Sequence, residues 1–145
     1  MQKTSAACAR RTVLTFLATA GVLLATGLAT AAHAADKSFT MGFAQVGAES
    51  EWRTANSESI KSTAKAQGVN LKFSDAQQKQ ENQIKAIRSY IAQKVDVIAF
   101  SPVVESGWDT VLQEAEAAKI PVILTDRGID SKDPSLYVSF IGSDF

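Results

Sequence analysis

Two periodicities alternate along this chain. Short runs rich in apolar residues occur at 39–46, 70–74, 95–101 and 121–125, and such runs bounded by turn signals read as buried strands. The third, VDVIAFS, is almost continuously apolar, as a strand covered on both faces should be. Between these runs the apolar positions fall at helical spacing. A helix is expected from 51 to 67, stopping at Gly68, the usual residue for ending a helix. A second is expected from 80 to 93, where Ile84, Ile87 and Ile91 recur at spacings of three and four and mark one buried face. A third is expected from 107 to 118, with Val111, Leu112 and Ala115 turned inward. Residues 136–141 read as one more strand.

The intervals from Met41 to Leu71, Leu71 to Val97 and Val97 to Val122 are 30, 26 and 25 residues. Each suits a right-handed β-α-β unit, which takes about 30 residues. The expected fold is α/β, a doubly wound parallel sheet of flavodoxin-like strand order 2-1-3-4. The last strand should be followed by a crossover helix to cover its face. The sequence instead ends in Ile-Gly-Ser-Asp-Phe, so the expectation is a truncated lobe, the front part of something longer.

The N-terminus changes what chemistry remains. Lys3, Arg10 and Arg11 precede a charge-free apolar run at 12–32, which ends in the small-x-small pattern Ala32-His33-Ala34. This is the plan of a cleaved signal peptide over 1–34, leaving a domain over 35–145. Arg10-Arg11 also fits a twin-arginine signal, and both export routes stay open. Cleavage would remove Cys8 and His33, the only cysteine and histidine, and with them the thiol chemistry, the common metal ligands and the usual general base. No cofactor and no metal are expected. Removing three basic residues from 15 leaves 12 against 15 acidic ones, which speaks against nucleic acid.

In open α/β sheets ligands bind beyond the carboxyl ends of the strands. The loops there carry Glu49, Ser50, Glu51, Trp52, Arg53, Asp75, Trp108, Asp126 and Arg127. Trp and Arg are unexpected at a helix start, where the backbone favours anions. Carboxylates accept from hydroxyls, a guanidinium donates a fork, and an indole covers a C–H face, so the set suits a sugar. Plainer readings stand beside this one. Asp126 and Arg127 also fit an ordinary loop ion pair, Trp108 also fits a packing role against the sheet, and Glu49 and Glu51 also fit a favourable interaction with the helix dipole. A phosphate-cradling loop wants several glycines, whereas this turn has Gly47 and then a carboxylate. No Gly-x-Ser-x-Gly elbow occurs, and a hydrolase triad lacks its histidine. A carboxylate-pair glycosidase using Glu49, Asp75 or Asp126 stays open without positive support.

The segments MGFAQVGAESEWR, DAQQKQENQIKAIRSYIAQKVDVIAFSPV and GWDTVLQEAEAAKIPVILTDRGID resemble the ribose-type periplasmic sugar-binding proteins of ABC importers, within which the galactofuranose binders are most similar. The resemblance implies the N-terminal lobe of a type I periplasmic binding protein. It also implies a monomeric, non-enzymatic receptor that captures a monosaccharide, galactofuranose, in the periplasm and presents it to a membrane permease. Glu49, Ser50, Glu51, Trp52, Arg53, Asp126 and Arg127 match the family's sugar-contacting positions. A sugar-sensing receptor serving a chemoreceptor or sensor kinase is an alternative reading, as is a truncated product without activity.

Overall fold

Strand β1 (Thr40–Gln45) is an inner strand of a five-stranded parallel sheet, paired on both sides, and the parallel pairing fixes the edge where the loops after the strands emerge. A computed structural model describes residues 38–143; the expected signal peptide lies outside the described residues. After β1 the chain forms α1 (Glu51–Ala66), β2 (Asn70–Asp75), α2 (Gln80–Ala92), β3 (Val97–Phe100), α3 (Asp109–Ala117), β4 (Val122–Thr125), a 3-10 turn (Pro134–Leu136) and β5 (Ser139–Ile141). The sheet order is β2-β1-β3-β4-β5. This is the expected 2-1-3-4 order with one strand added at the β4 edge.

Alternation along β1 divides the molecule into two layers. Gly42 and Ala44 face α2. A side chain at Gly42 would collide with the Tyr90 ring, its Cβ lying 2.5 Å from Cδ2, and Ala44 joins the main core of Ile87, Tyr90, Ile98, Phe100, Leu112 and Leu124. The Tyr90 hydroxyl donates to the Phe43 carbonyl at 2.9 Å, and burial pushes its pKa up. Phe43 faces the other way, toward α1, and stacks on Phe73 of β2 at 5.9 Å between centroids.

Each helix ends by the same device. After α1, Gly68 adopts φ +68 while Val69 N–H donates to Ala64 and Gly68 N–H to Lys65, a Schellman turn. After α2 and α3 the same left-handed position is held by Lys94 and Lys119, at φ 53 and 58. These turns explain two boundaries that differ from the sequence reading. Val95 belongs to the turn after α2, donating to Tyr90 at 3.3 Å, so β3 begins only at Val97. Likewise Leu136 lies in the 3-10 turn, and β5 begins at Ser139. Among the described residues no helix is long and apolar enough to cross a membrane.

Candidate functional site

The parallel strands all deliver their C-terminal loops to one edge, and the residues singled out from the sequence gather there around Arg53. Helix α1 starts at Ser50, whose Oγ accepts the Arg53 N–H at 3.2 Å and caps the helix. Gly47 in the preceding turn lies close to the side chains of Glu49 and Gln78, so that a Cβ there would stand 2.7 Å from Glu49 Oε2 and 3.2 Å from Gln78 Cγ and would push the Glu49 carboxylate aside. On the inner side, Gln45 is fully buried at the end of β1. Its amide donates to Asn56 Oδ1 at 2.8 Å and Ser57 Oγ at 3.2 Å, while its carbonyl accepts from Val46 N–H at 2.9 Å. The start of α1 is therefore tied to the strand that feeds it.

Arg53 is the hub. Its side chain is 5% exposed, and three of its nitrogens are engaged. Nε pairs with Glu49 Oε1 at 3.2 Å, Nη2 with Asp126 Oδ2 at 2.8 Å, and Nη1 donates to Ser101 Oγ at 3.4 Å. The Ser101 hydroxyl donates onward to Asp126 Oδ2 at 3.2 Å. Asp126 holds φ 66, a left-handed conformation that costs a non-glycine residue energy and recurs at functional sites. Its N–H donates to the Ile141 carbonyl at 2.8 Å, which anchors the loop to β5.

The remaining predicted residues take distinct places. Trp52 is 54% exposed, and the Arg53 guanidinium carbon sits 4.7 Å from its ring centroid. One indole face is thus covered by a cation, and about half of the residue stays exposed to solvent. Arg127 Nε lies 3.6 Å from Asp126 Oδ2, with the side chain 49% exposed. Its terminal fork makes no bond within the described residues, so Arg127 is free to donate where Arg53 is already committed. Glu51 is exposed in the first turn of α1, where its charge favours the helix dipole. Asp126 Oδ1 and Glu49 Oε2 likewise make no bond within the described residues, leaving two acceptors on either side of Arg53.

Trp52 and Asp126 line one groove of about 390 Å³ together with Asn56, Thr125 and Ile141. Arg127 lines a neighbouring hollow of about 250 Å³ with Pro102, Val103 and Glu105. Trp108 takes the packing role. It is 1% exposed, lies 4.9 Å from the Phe100 ring, and donates its indole N–H to the Val104 carbonyl at 2.7 Å. Asp75 accepts from the Gln77 N–H at 2.7 Å and shapes its own turn. Three buried polar residues at this edge, Gln45, Gln83 and Ser101, are absent from the set of candidates read from the sequence. Nothing in the spacing marks them: Gln83 lies in a polar stretch of α2 and reads as a solvated side chain, and only the packed fold shows it buried and bonded. Among the described residues no group of three His, Cys, Asp or Glu side chains is placed to hold a metal ion.

Residues 41–145 match the family described as "Periplasmic binding protein domain". The galactofuranose-binding protein YtfQ of Escherichia coli (strain K12) is 56% identical over 105 residues, covering 72% of this chain and 33% of that protein. A Mycobacterium smegmatis protein solved in complex with β-D-fucofuranose is 67% identical with a TM-score of 0.73, covering 74% of this chain and 35% of the other. The periplasmic binding component of the arabinose ABC transporter of Shewanella sp. ANA-3, bound to α- and β-L-arabinofuranose, is 61% identical with a TM-score of 0.71, covering 72% and 35%. The chain spans about a third of the length of these relatives. With the family match running from β1 through β5, the chain belongs to the periplasmic binding protein family.

Proposed function

We propose that residues 35–145 form part of the N-terminal lobe of a sugar receptor of an ABC importer, and that its C-terminal strand edge is one wall of a furanose site. Residues 1–34 act as the export signal that places it in the periplasm, and a membrane permease receives the sugar from it. The observation that carries this reading is the Glu49–Arg53–Asp126 triad beneath a half-exposed Trp52. A buried guanidinium held between two carboxylates is rigid, while each carboxylate keeps one oxygen for a ligand hydroxyl. The half-exposed indole suits the C–H face of a sugar ring.

Charge narrows the ligand class. Glu49 and Asp126 pair with Arg53 and Arg127, and Glu51 adds a third carboxylate at the start of α1, three carboxylates against two guanidinium groups, which favours a neutral polyol over an anion. The named ligands of the three relatives share a five-membered sugar ring and differ in what hangs from it. Galactofuranose is the proposed ligand, and Glu49, Ser50, Glu51, Trp52, Arg53, Asp126 and Arg127 are the proposed binding residues. Proteins of this family are transport components without catalysis. The receptor is proposed to work as a monomer.

The test is a titration of the 145-residue chain with methyl β-D-galactofuranoside and with its pyranoside isomer, followed by amide chemical shifts. One wall alone should bind the furanoside with a Kd of about 1 mM or weaker, with shifts centred on 49–53 and 126–127. Arg53→Ala or Asp126→Ala removes one partner of a charged hydrogen bond and costs about 2 to 5 kcal/mol, enough to abolish the shifts. Equal response to both sugars, or unchanged affinity in the two variants, would remove these residues from the role.

A further inference from the structure

Beneath the triad lies a second layer of buried polar groups whose geometry leads back to Arg53. Gln83, on the inward face of α2, is fully buried among apolar neighbours, yet its side-chain amide is bonded at both ends. Its nitrogen donates to the Ala44 carbonyl at 3.2 Å and to the Ser101 carbonyl at 2.6 Å, and its oxygen accepts from Val103 N–H at 2.9 Å. These three contacts join the end of β1, the end of β3 and the loop after β3. They sit where the two strands part, since the last β1–β3 bond, from Ser101 N–H to the Ala44 carbonyl, is stretched to 3.4 Å. The amide of Gln83 fills that opening.

The consequence falls on Ser101. With its carbonyl held by Gln83 and Pro102 buried behind it, its hydroxyl is aimed between Arg53 Nη1 and Asp126 Oδ2. Asp126 needs such support, because its φ of 66 is unfavourable without bonds to hold it. We infer that Ser101 is a positioning residue that locks Arg53 and Asp126 in one geometry, and that Gln83 sets Ser101. This rests on the furanose reading for its purpose, while the lock itself is a property of the unliganded protein. Arg53 then needs no rearrangement when a sugar arrives, and the cation beneath Trp52 keeps the indole in place.

The experiment measures solvent exchange of the Arg53 Nε–H by nitrogen-15 NMR in the 145-residue chain without sugar, with thermal unfolding recorded in parallel. Ser101→Ala changes a small buried side chain by one oxygen and should leave the fold intact. It should speed Arg53 exchange about tenfold, the loss of one hydrogen bond to a charged group, while Ser101→Thr, which keeps the hydroxyl, holds exchange near the parent rate. Gln83→Met, which keeps the volume and removes the amide, should loosen Arg53 in the same direction. Unchanged Arg53 exchange in Ser101→Ala, with only the unfolding temperature lowered, would overturn the positioning role. Methyl β-D-galactofuranoside separates the two ideas. Faster exchange with no sugar response in the parent leaves the lock standing and rejects the furanose reading. A sugar response that Ser101→Ala leaves unweakened, at unchanged exchange, rejects the lock alone.

Discussion

Gly42 has no space for a side chain. The Cβ of an alanine there would stand 2.5 and 2.6 Å from Cδ2 and Cγ of Tyr90, a ring pinned by its hydroxyl bond to Phe43 and buried on every side. Neither β1 nor α2 can yield without disturbing the strand that leads into the site. Gly42→Ala should therefore destabilise the protein by about 1 to 3 kcal/mol, the usual cost of overpacking a close contact. Urea unfolding of the two proteins checks it, and equal midpoints would contradict the packing account. Single residues were unevenly legible. Trp52 and Arg53 stood out because their types are unusual for a helix start, and Glu49, Asp126 and Arg127 because with them they make up a set suited to a sugar; the fold gathers them at one edge. The sequence could not show that the two arginines differ in use. Arg53 and Arg127 have the same chemistry, and only packing decides which is buried as a strut and which keeps its fork in solvent.

At the scale of elements, the helix stops are the clearest case of chemistry that depends on backbone shape. Three Schellman turns end three helices, and only the first has glycine at the left-handed position. Lys94 and Lys119 occupy it at a cost of about 1 to 2 kcal/mol each, partly offset by the extra chain freedom a glycine would lose on folding. Lys119→Gly should stabilise the protein by about 0.5 to 1 kcal/mol. Lys119 is exposed and makes no side-chain hydrogen bond or ion pair within the described residues, so little else changes. A lower unfolding midpoint for the variant would contradict this. Gly68 was readable as a stop from sequence for the same reason that the lysines were not: glycine advertises a left-handed residue, whereas lysine is indistinguishable from a solvated helix end. The reading of β3 as 95–101 ran long at both ends. Apolar character continues through Val95 into a turn, and β3 ends at Phe100, where the strands begin to part and Ser101 keeps a stretched 3.4 Å bond to the Ala44 carbonyl.

At the scale of the whole molecule, strand order followed from the spacing of apolar runs, because right-handed crossovers of this length leave few alternatives. The layer of buried polar groups was not legible, since nothing in the spacing distinguishes Gln83 from a solvated glutamine until α2 is laid against β1 and β3. The described residues present one wall of the proposed site, and receptors of two lobes gain much of their ligand burial by closing. The central claim concerns where a furanose meets that wall. Intermolecular nuclear Overhauser effects between methyl β-D-galactofuranoside and the 145-residue chain test it most directly, because Trp108 is buried whereas Trp52 is half-exposed at that wall. The account predicts contacts from the sugar ring protons to the Trp52 indole, lost in Asp126→Ala. Contacts confined to residues away from 49–53 and 126–127, or the same contacts undiminished in Asp126→Ala, would contradict it.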